Sequence, residues 1–169
     1  MFSRERLDIG TRFFLEHLPI KSAIRDIIDL GCGNGLLGLI AAERNPLANI
    51  YFVDESFMAV ASAKDNFSRA FGLTRPATFA VGDGLCDFEA SSADLILCNP
   101  PFHQQHTVGD QIAVSLFVQS KRVLRKGGEL WVIGNWHLNY HSQLQRLFGN
   151  HQVIAANAKF IIIKAVVKT

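Results

Sequence analysis

Asp26-Ile27-Ile28-Asp29-Leu30-Gly31-Cys32-Gly33-Asn34-Gly35, running into Leu36-Leu37-Gly38-Leu39-Ile40-Ala41-Ala42-Glu43-Arg44, decides the fold. The opening apolar run reads as a strand buried on both faces, as parallel strands are. Glycines 31, 33 and 35 permit positive φ and let the backbone approach a ligand closely. The following stretch reads as a helix. Strand, glycine-rich turn, helix is the opening of a nucleotide-binding βαβ unit.

The same alternation continues outward. Residues 49–53 read as a second strand ending at Asp54, and residues 57–71 as a helix capped by Ser56 and closed by Gly72. Residues 78–81 and 93–98 are the third and fourth strands. A polar loop over 103–110 leads to a helix predicted over 111–124, with Asp110 as its cap. Gly127-Gly128 is expected to turn the chain into a fifth strand over 129–134. A helix over 140–148 and a hairpin over 153–156 and 160–167, turning at Asn157-Ala158-Lys159, close the chain. On the N-terminal side, a helix within residues 2–18 is stopped by Pro19. This is a doubly wound α/β sheet with an antiparallel edge.

Composition bounds the function. The 169 residues fit one domain, 49% hydrophobic and 19% charged, with a formal net charge of +2. That balance does not by itself call for nucleic acid. Cys32, Cys86 and Cys98 offer no zinc spacing and read as free buried thiols of a reducing, cytoplasmic protein. No apolar run is long enough to span a bilayer, and Met1-Phe2-Ser3-Arg4-Glu5-Arg6 has no signal core. No metal and no membrane partner are expected.

Two nucleotide ligands compete for the glycine turn. A nicotinamide dinucleotide needs G-x-G-x-x-G to seat its pyrophosphate. Leu36 stands where the third glycine would be, and Asp29 would repel a pyrophosphate. An acid there suits an ammonium group. S-adenosyl-L-methionine carries one, together with a sulfonium and no phosphate. Residues 29–35 therefore read as a methyl-donor site: Asp29, Gly31, Cys32, Gly33, Asn34 and Gly35. Asp54 can accept both ribose hydroxyls, with Glu55 and Ser56 beside it. Gly82-Asp83-Gly84 follows the third strand and completes the set.

The fourth strand ends in Asn99-Pro100-Pro101-Phe102. Neither proline has an N–H for a ladder, so the chain leaves the sheet in a stiff turn at the edge where ligands bind. An exocyclic base amine is a poor nucleophile because its lone pair is delocalised. The Asn99 side-chain oxygen and the Pro100 carbonyl would accept its two N–H groups and aim the lone pair at the methyl group. Phe102 would stack on the base. Catalysis would come mostly from positioning, and a paired target base would have to be flipped out.

Residues 29–35, Asp54, Asp83 and Asn99-Pro100-Pro101-Phe102, in this order, resemble the class I S-adenosylmethionine-dependent methyltransferases. The resemblance implies a Rossmann-like fold: a mostly parallel seven-stranded sheet with an antiparallel terminal strand and helices on both faces. It also implies that Asp83 accepts from the adenine amino group. Asn/Asp-Pro-Pro-aromatic is shared by enzymes that methylate adenine N6, guanine N2 and protein glutamine N5. The longer run through His103-Gln104-Gln105-His106, Phe2-Ser3-Arg4 with residues 7–11, and Gly127-Gly128-Glu129-Leu130 leading to Gly134-Asn135 are more telling. They are similar to the bacterial rRNA guanine-N2 methyltransferases of the RsmC/RlmG family, and to the 23S rRNA branch more than the 16S branch. Members of that family have two homologous halves, and the similarity covers the catalytic C-terminal half. Residues 1–169 are thus expected to be a single catalytic domain without the N-terminal homologous domain. An inert donor- and RNA-binding module is the competing reading, opposed by the intact motifs.

Other residues make weaker claims. His103 and His106 lack a third metal ligand and read as RNA contacts or loop packing. Asn135-Trp136-His137-Leu138-Asn139-Tyr140 follows the fifth strand and would reach the same face, with Trp136 lining the base pocket or packing in the core. Lys121, Arg122, Arg125 and Lys126 form the clearest basic cluster. They suit a helix C-terminus as well as a phosphate, with Arg4, Lys159 and Lys164 as further candidates. Cys98 reads as core.

Overall fold

The structure, a computed structural model, describes residues 9–19, 23–100 and 106–168, apart from the side chains of residues 106–109. Pro101, Phe102, His103, Gln104, Gln105 and Arg4 lie outside the described residues. The elements are α1 (Ile9–Leu15), β1 (Asp26–Leu30), α2 (Leu36–Arg44), β2 (Asn49–Asp54), α3 (Phe57–Phe71) and β3 (Ala77–Val81), then β4 (Ala93–Cys98), α4 (His106–Val123), β5 (Leu124–Asn135), α5 (Tyr140–Phe148), β6 (Gln152–Ala156) and β7 (Phe160–Val166). One seven-stranded sheet has the order β3-β2-β1-β4-β5-β7-β6. Neighbours are parallel from β3 to β5, and β7 runs antiparallel to both β5 and β6. The strand order reverses between β1 and β4, so the loops after these strands open a crevice at the switch point.

Two apolar layers hold the helices on. Residues of α1, α2 and α3 pack with Ile27, Phe52, Leu95, Leu97 and Ile133. Residues of α4 and α5 pack with Ile28, Ile96, Cys98 and Val132. Successive strand residues alternate between the layers, as the period of 2 requires.

Three expectations change. First, α4 starts at His106 rather than at 111, so Asp110 lies inside the helix and caps nothing. No proline follows Pro101, and helical hydrogen bonding of the backbone overrides the weak propensity of the polar stretch. Second, Gly127-Gly128 does not end a turn ahead of the strand but lies within β5, where its register against β4 shifts between Ala93 and Leu95. Gly127 has φ +81; its N–H donates to Val167 O at 2.7 Å, and Val167 N–H returns to Gly128 O at 3.0 Å. The pair is a bulge that β7 keeps hydrogen-bonded. Third, Cys86 is exposed, while Cys32 and Cys98 are buried as expected.

The basic cluster faces away from the switch point. Arg125 pairs with Asp26 at 2.9 Å and Asp94 at 3.0 Å, at the starts of β1 and β4. Asp94 also accepts from the Arg25 and Asp26 N–H groups. Lys121 donates to Leu147 O and Arg122 to Leu85 O. Arg125 thus holds the starts of β1 and β4 together, while Lys121 and Arg122 are spent on α5 and on the loop after β3. Lys164 lies near Glu129 at 3.9 Å.

Gly38 in α2 shows packing overruling propensity. Phe52 stacks on Phe79 with centroids 4.9 Å apart, and Phe67 closes edge-on at 5.6 Å, so the Phe52 ring has no room to move. A Cβ on Gly38 would sit 2.9 Å from Phe52 Cζ and closer still to Cε1. Alanine gains about 1 kcal/mol of helix propensity over glycine, but overpacking costs about 1–3 kcal/mol, and here the obstacle is a locked ring. Gly38→Ala should lower stability by up to roughly 2 kcal/mol net in urea unfolding; a more stable variant would show that the ring yields.

Candidate functional site

The site is built where β1, β2 and β4 end. Gly31 (φ +73) donates to Val53 O at 2.8 Å, and Cys32 to the same oxygen at 3.0 Å, folding the turn back over β2. Gly35 (φ +82) starts α2 in the left-handed region and packs on α3; a Cβ there would sit 2.7 Å from that of Ala63. Gly31 also lies against β4's exit, where a Cβ would be 3.1 Å from Asn99 O. Side chains at 31 or 35 would therefore push apart the loops that form the crevice.

Asp29 is fully buried in β1. Its Oδ2 accepts from Gly38 N–H at 2.8 Å, tying strand to helix. Its Oδ1 is buried without a hydrogen-bond partner. Burial pushes its pKa up to about 7, against the pull of the Gly38 N–H and with help from nearby Asp54. A buried unpaired carboxylate oxygen costs free energy that a cationic donor would recover.

Asp54 does more than its sequence position announced. Oδ2 accepts from Gly33 N–H at 2.9 Å and Oδ1 from Ser56 N–H at 2.9 Å. One carboxylate thus clamps the glycine turn to the start of α3. A carboxylate has about four lone-pair sites, so each oxygen still has one free for a ligand hydroxyl. Ser56 Oγ accepts from Ala59 N–H and caps α3, and Glu55 is exposed. Asn34 O is held by Asn66 Nδ2 at 2.9 Å, fixing the tip of the turn. Gly82 N–H bonds Asp54 O at 2.9 Å, which sets Gly82-Asp83-Gly84 beside the same edge with Asp83 exposed.

Asn99 follows β4, level with this turn, its N–H directed at Leu30 O at 3.5 Å. Its Oδ1 is buried with no hydrogen-bond partner. By strand alternation Asp29, Asp54 and Asn99 all point to the layer that holds Ile27, Phe52 and Leu97. Pro100 is buried behind Asn99. Burial raises the thiol pKa of Cys32, with Asp29 and Asp54 adding to it, and that of Cys98, with Asp29 adding. Both stay protonated and neither is a nucleophile.

The edge continues across β5 and β7. Trp136 begins a single 3-10 turn (Trp136–Leu138) after β5 and donates from Nε1 to Asn157 O at 2.9 Å in the β6–β7 hairpin. Lys159 is in that hairpin, its Nζ 5.2 Å from the Phe160 ring centroid. Both reach the site side of the molecule. Asn135 Oδ1 is a further buried acceptor without a partner. Four such atoms occur among the described residues, and three of them, on Asp29, Asn99 and Asn135, lie along this one edge. The sequence placed Asn135 at the head of a stretch reaching this face, and within a resemblance, without giving it a role. Among the described residues no group of three His, Cys, Asp or Glu could hold a metal, and no helix is long and apolar enough to cross a membrane.

A doubly wound sheet with an acid-and-glycine turn, an acid ending β2 and an Asn99-Pro100 exit from β4 at one edge is the architecture of a methyl-transfer domain. The chain belongs to the Methyltransferase small domain family, whose model matches residues 1–164. It is 52% identical to Ribosomal RNA large subunit methyltransferase G of Stutzerimonas stutzeri over 98% of this chain and 44% of that protein. It is 54% identical to the protein of the same name from Pseudomonas aeruginosa, again over 98% and 44%. The chain thus spans under half the length of these relatives. A solved structure titled T. thermophilus 16S rRNA N2 G1207 methyltransferase (RsmC) in complex with AdoMet and Guanosine superposes with a TM-score of 0.84 at 25% identity, covering 99% of this chain and 45% of that one. The mitomycin 7-O-methyltransferase MmcR shares the fold, at a TM-score of 0.69 and 14% identity.

Asp29 makes a measurable trade. A carboxyl whose folded pKa lies above its unfolded value is bound more tightly to its proton in the fold. Stability is therefore full below about pH 4, falls as pH rises to about 7, and is level above that. Asp29→Asn keeps an acceptor for Gly38 N–H and cannot ionise. It should be more stable than the parent by roughly 1–4 kcal/mol at pH 8 and no more stable near pH 4. Urea titrations at both pH values read this directly; a pH-independent difference would mean that Asp29 is not the group that titrates.

Proposed function

We propose that this domain transfers a methyl group from S-adenosylmethionine to the exocyclic N2 amine of one guanosine in 23S rRNA. The observation that carries the reading is the pair of open acceptors, Asp29 Oδ1 and Asn99 Oδ1, on one face of one edge. The names of the relatives support the choice of RNA. The residues fit this donor. Asp29 Oδ1 suits its ammonium, the free lone pairs of Asp54 suit two ribose hydroxyls, and exposed Asp83 would accept from the adenine amine. The backbone of residues 31–35, Cys32 and Asn34 included, would enclose the methionine end, with Glu55, Ser56, Gly82 and Gly84 around the nucleoside end.

When bound, the donor supplies an electrophilic methyl group on a sulfonium. The chain's residues prepare the nucleophile. Asn99 Oδ1 and Pro100 O accept the two N2 hydrogens and turn the lone pair toward the methyl group. Pro101 stiffens the turn, and Phe102 stacks on the base. The rate comes from alignment and preorganised dipoles. Residues 1–169 act as one catalytic domain in this reading.

Incubation with labelled donor and rRNA from a strain lacking the modification, followed by mapping of the labelled base, tests the proposal. Label at guanine N2 in 23S rRNA is expected; label only in 16S rRNA, on adenine or on protein overturns it. Asn99→Ala should lower kcat by ~10²–10³-fold and leave donor Kd within about twofold. Asp54→Ala should weaken donor binding first, by roughly 10–100-fold, since it removes charge-assisted hydrogen bonds. Equal loss of binding and turnover in Asn99→Ala would show that Asn99 holds the donor instead.

A further inference from the structure

Asn135 ends β5 one strand away from Asn99. The β4–β5 register pairs Cys98 with Val132, so Asn99 is level with Ile133 and Asn135 reaches two residues beyond it. Trp131 and Ile133 belong to the layer toward which Asp29 and Asn99 point, and strand alternation turns Asn135 the same way. Two residues along a strand and one strand across separate the two Cα atoms by about 8 Å. Two hydrogen bonds of about 2.9 Å to adjacent positions on one base edge would span about that distance.

Among the described residues the Asn135 side-chain oxygen has no hydrogen-bond partner. Asn135 is the N-cap of the Trp136–Leu138 turn, where an asparagine ordinarily spends its oxygen on a backbone N–H. Here it makes no such bond, and its Oδ1 is buried without a partner. The residue is held firmly all the same. Its backbone pairs with Phe160 of β7, and the next residue is pinned through Trp136 Nε1 to Asn157 O. A fixed, buried, unused acceptor awaits a donor.

Guanine has one donor more than its amine. Once Asn99 and Pro100 accept the two N2 hydrogens, N1–H remains on the same edge. Adenine presents a lone pair at N1 instead. We propose that Asn135 Oδ1 accepts the N1–H of the target guanine and is the specificity-determining residue that separates guanine from other amine-bearing bases. The inference rests on the function proposed above and adds the reader of the second position on the base edge. An acceptor facing an acceptor is the unpaired arrangement that gives polar sites their discrimination.

The test replaces the mapped target guanosine in an RNA transcript by 2,6-diaminopurine riboside. That base keeps the N2 amine and has no N1–H. The parent protein should favour guanosine by at least ~10-fold in kcat/KM. Asn135→Ala should bring the ratio to within about threefold of unity by losing rate on guanosine alone. Asn135→Asp, which keeps an acceptor, should restore the preference. Donor binding should be the same in all three proteins. A parent that does not distinguish the two bases overturns the assignment. So does an Asn135→Ala variant that slows both bases equally, since that is the mark of a structural role. Either result leaves guanine-N2 transfer standing, whereas no label from the parent on any RNA removes both readings.

Discussion

Asp29 is a carboxylate with no exposure, held by a single N–H and open at its other oxygen. Much of the molecule is arranged to make that tolerable. The Gly38 N–H that bonds it belongs to the first turns of α2, so the bond docks the helix on β1 at a fixed depth. Depth in turn dictates that position 38 carry no side chain, because Phe52 fills the space. Phe52 is itself wedged between Phe79 and Phe67, which carries the constraint to β3 and α3. Burial raises the carboxyl pKa to about 7, so the ion is kept near neutral pH only at a cost. A fold under no functional demand would lose little by an amide here. Strain kept in one place and supported from all sides is how functional sites differ from the rest of a structure.

The two edges of the sheet treat the same chemistry in opposite ways. At the N-terminal edge both oxygens of Asp26 are engaged, by Arg125, Asn49 and Tyr51, and Asp94 Oδ2 takes Arg125 and two backbone N–H groups. These carboxylates are spent on the fold, although this edge holds Arg125, one of the most conspicuous basic residues. At the C-terminal edge three acceptors are buried and open. Charge density in the sequence therefore pointed to the stabilised edge, and the functional one is marked by what is unsatisfied. A surplus of acceptors also says what kind of ligand fits: one rich in N–H groups, such as an ammonium and the amine edge of a purine.

What the sequence made legible was local. Residues 29–35 and Asn99-Pro100 carry their geometry in their own backbone chemistry, through glycine φ freedom and proline's missing N–H. Strand and helix identities followed from period and from short strongly apolar runs. What was not legible depended on partners distant in sequence. Asp54 reads as a ribose acid, yet its first task is to bridge Gly33 and Ser56. Gly127-Gly128 reads as a turn, and only the presence of β7 alongside makes it a bulge inside a long strand. Arg125 reads as one of a cationic group until the starts of β1 and β4 are seen to meet on it. Asn135 could be placed at the site face but given no role, because an unused side-chain oxygen is visible only once every neighbour has been placed.

That bulge has a consequence for the site. Between Ala93 and Leu95 β4 advances two residues, while β5 advances five, from Leu124 to Glu129. The excess is odd. A side chain changes face with every single residue of slip, so an odd excess decides which of β5's two sets of residues looks toward α1 and α2. With the bulge, Trp131, Ile133 and Asn135 share the face of Leu95, Leu97 and Asn99. With one residue fewer, the buried acceptor at the strand's end would turn toward α4 and α5, away from Asp29 and Asn99. The glycine that permits the bulge sits at the far end of β5, at the stabilised edge. The parity of the site is thus set where no ligand binds, and β5 carries it across the sheet.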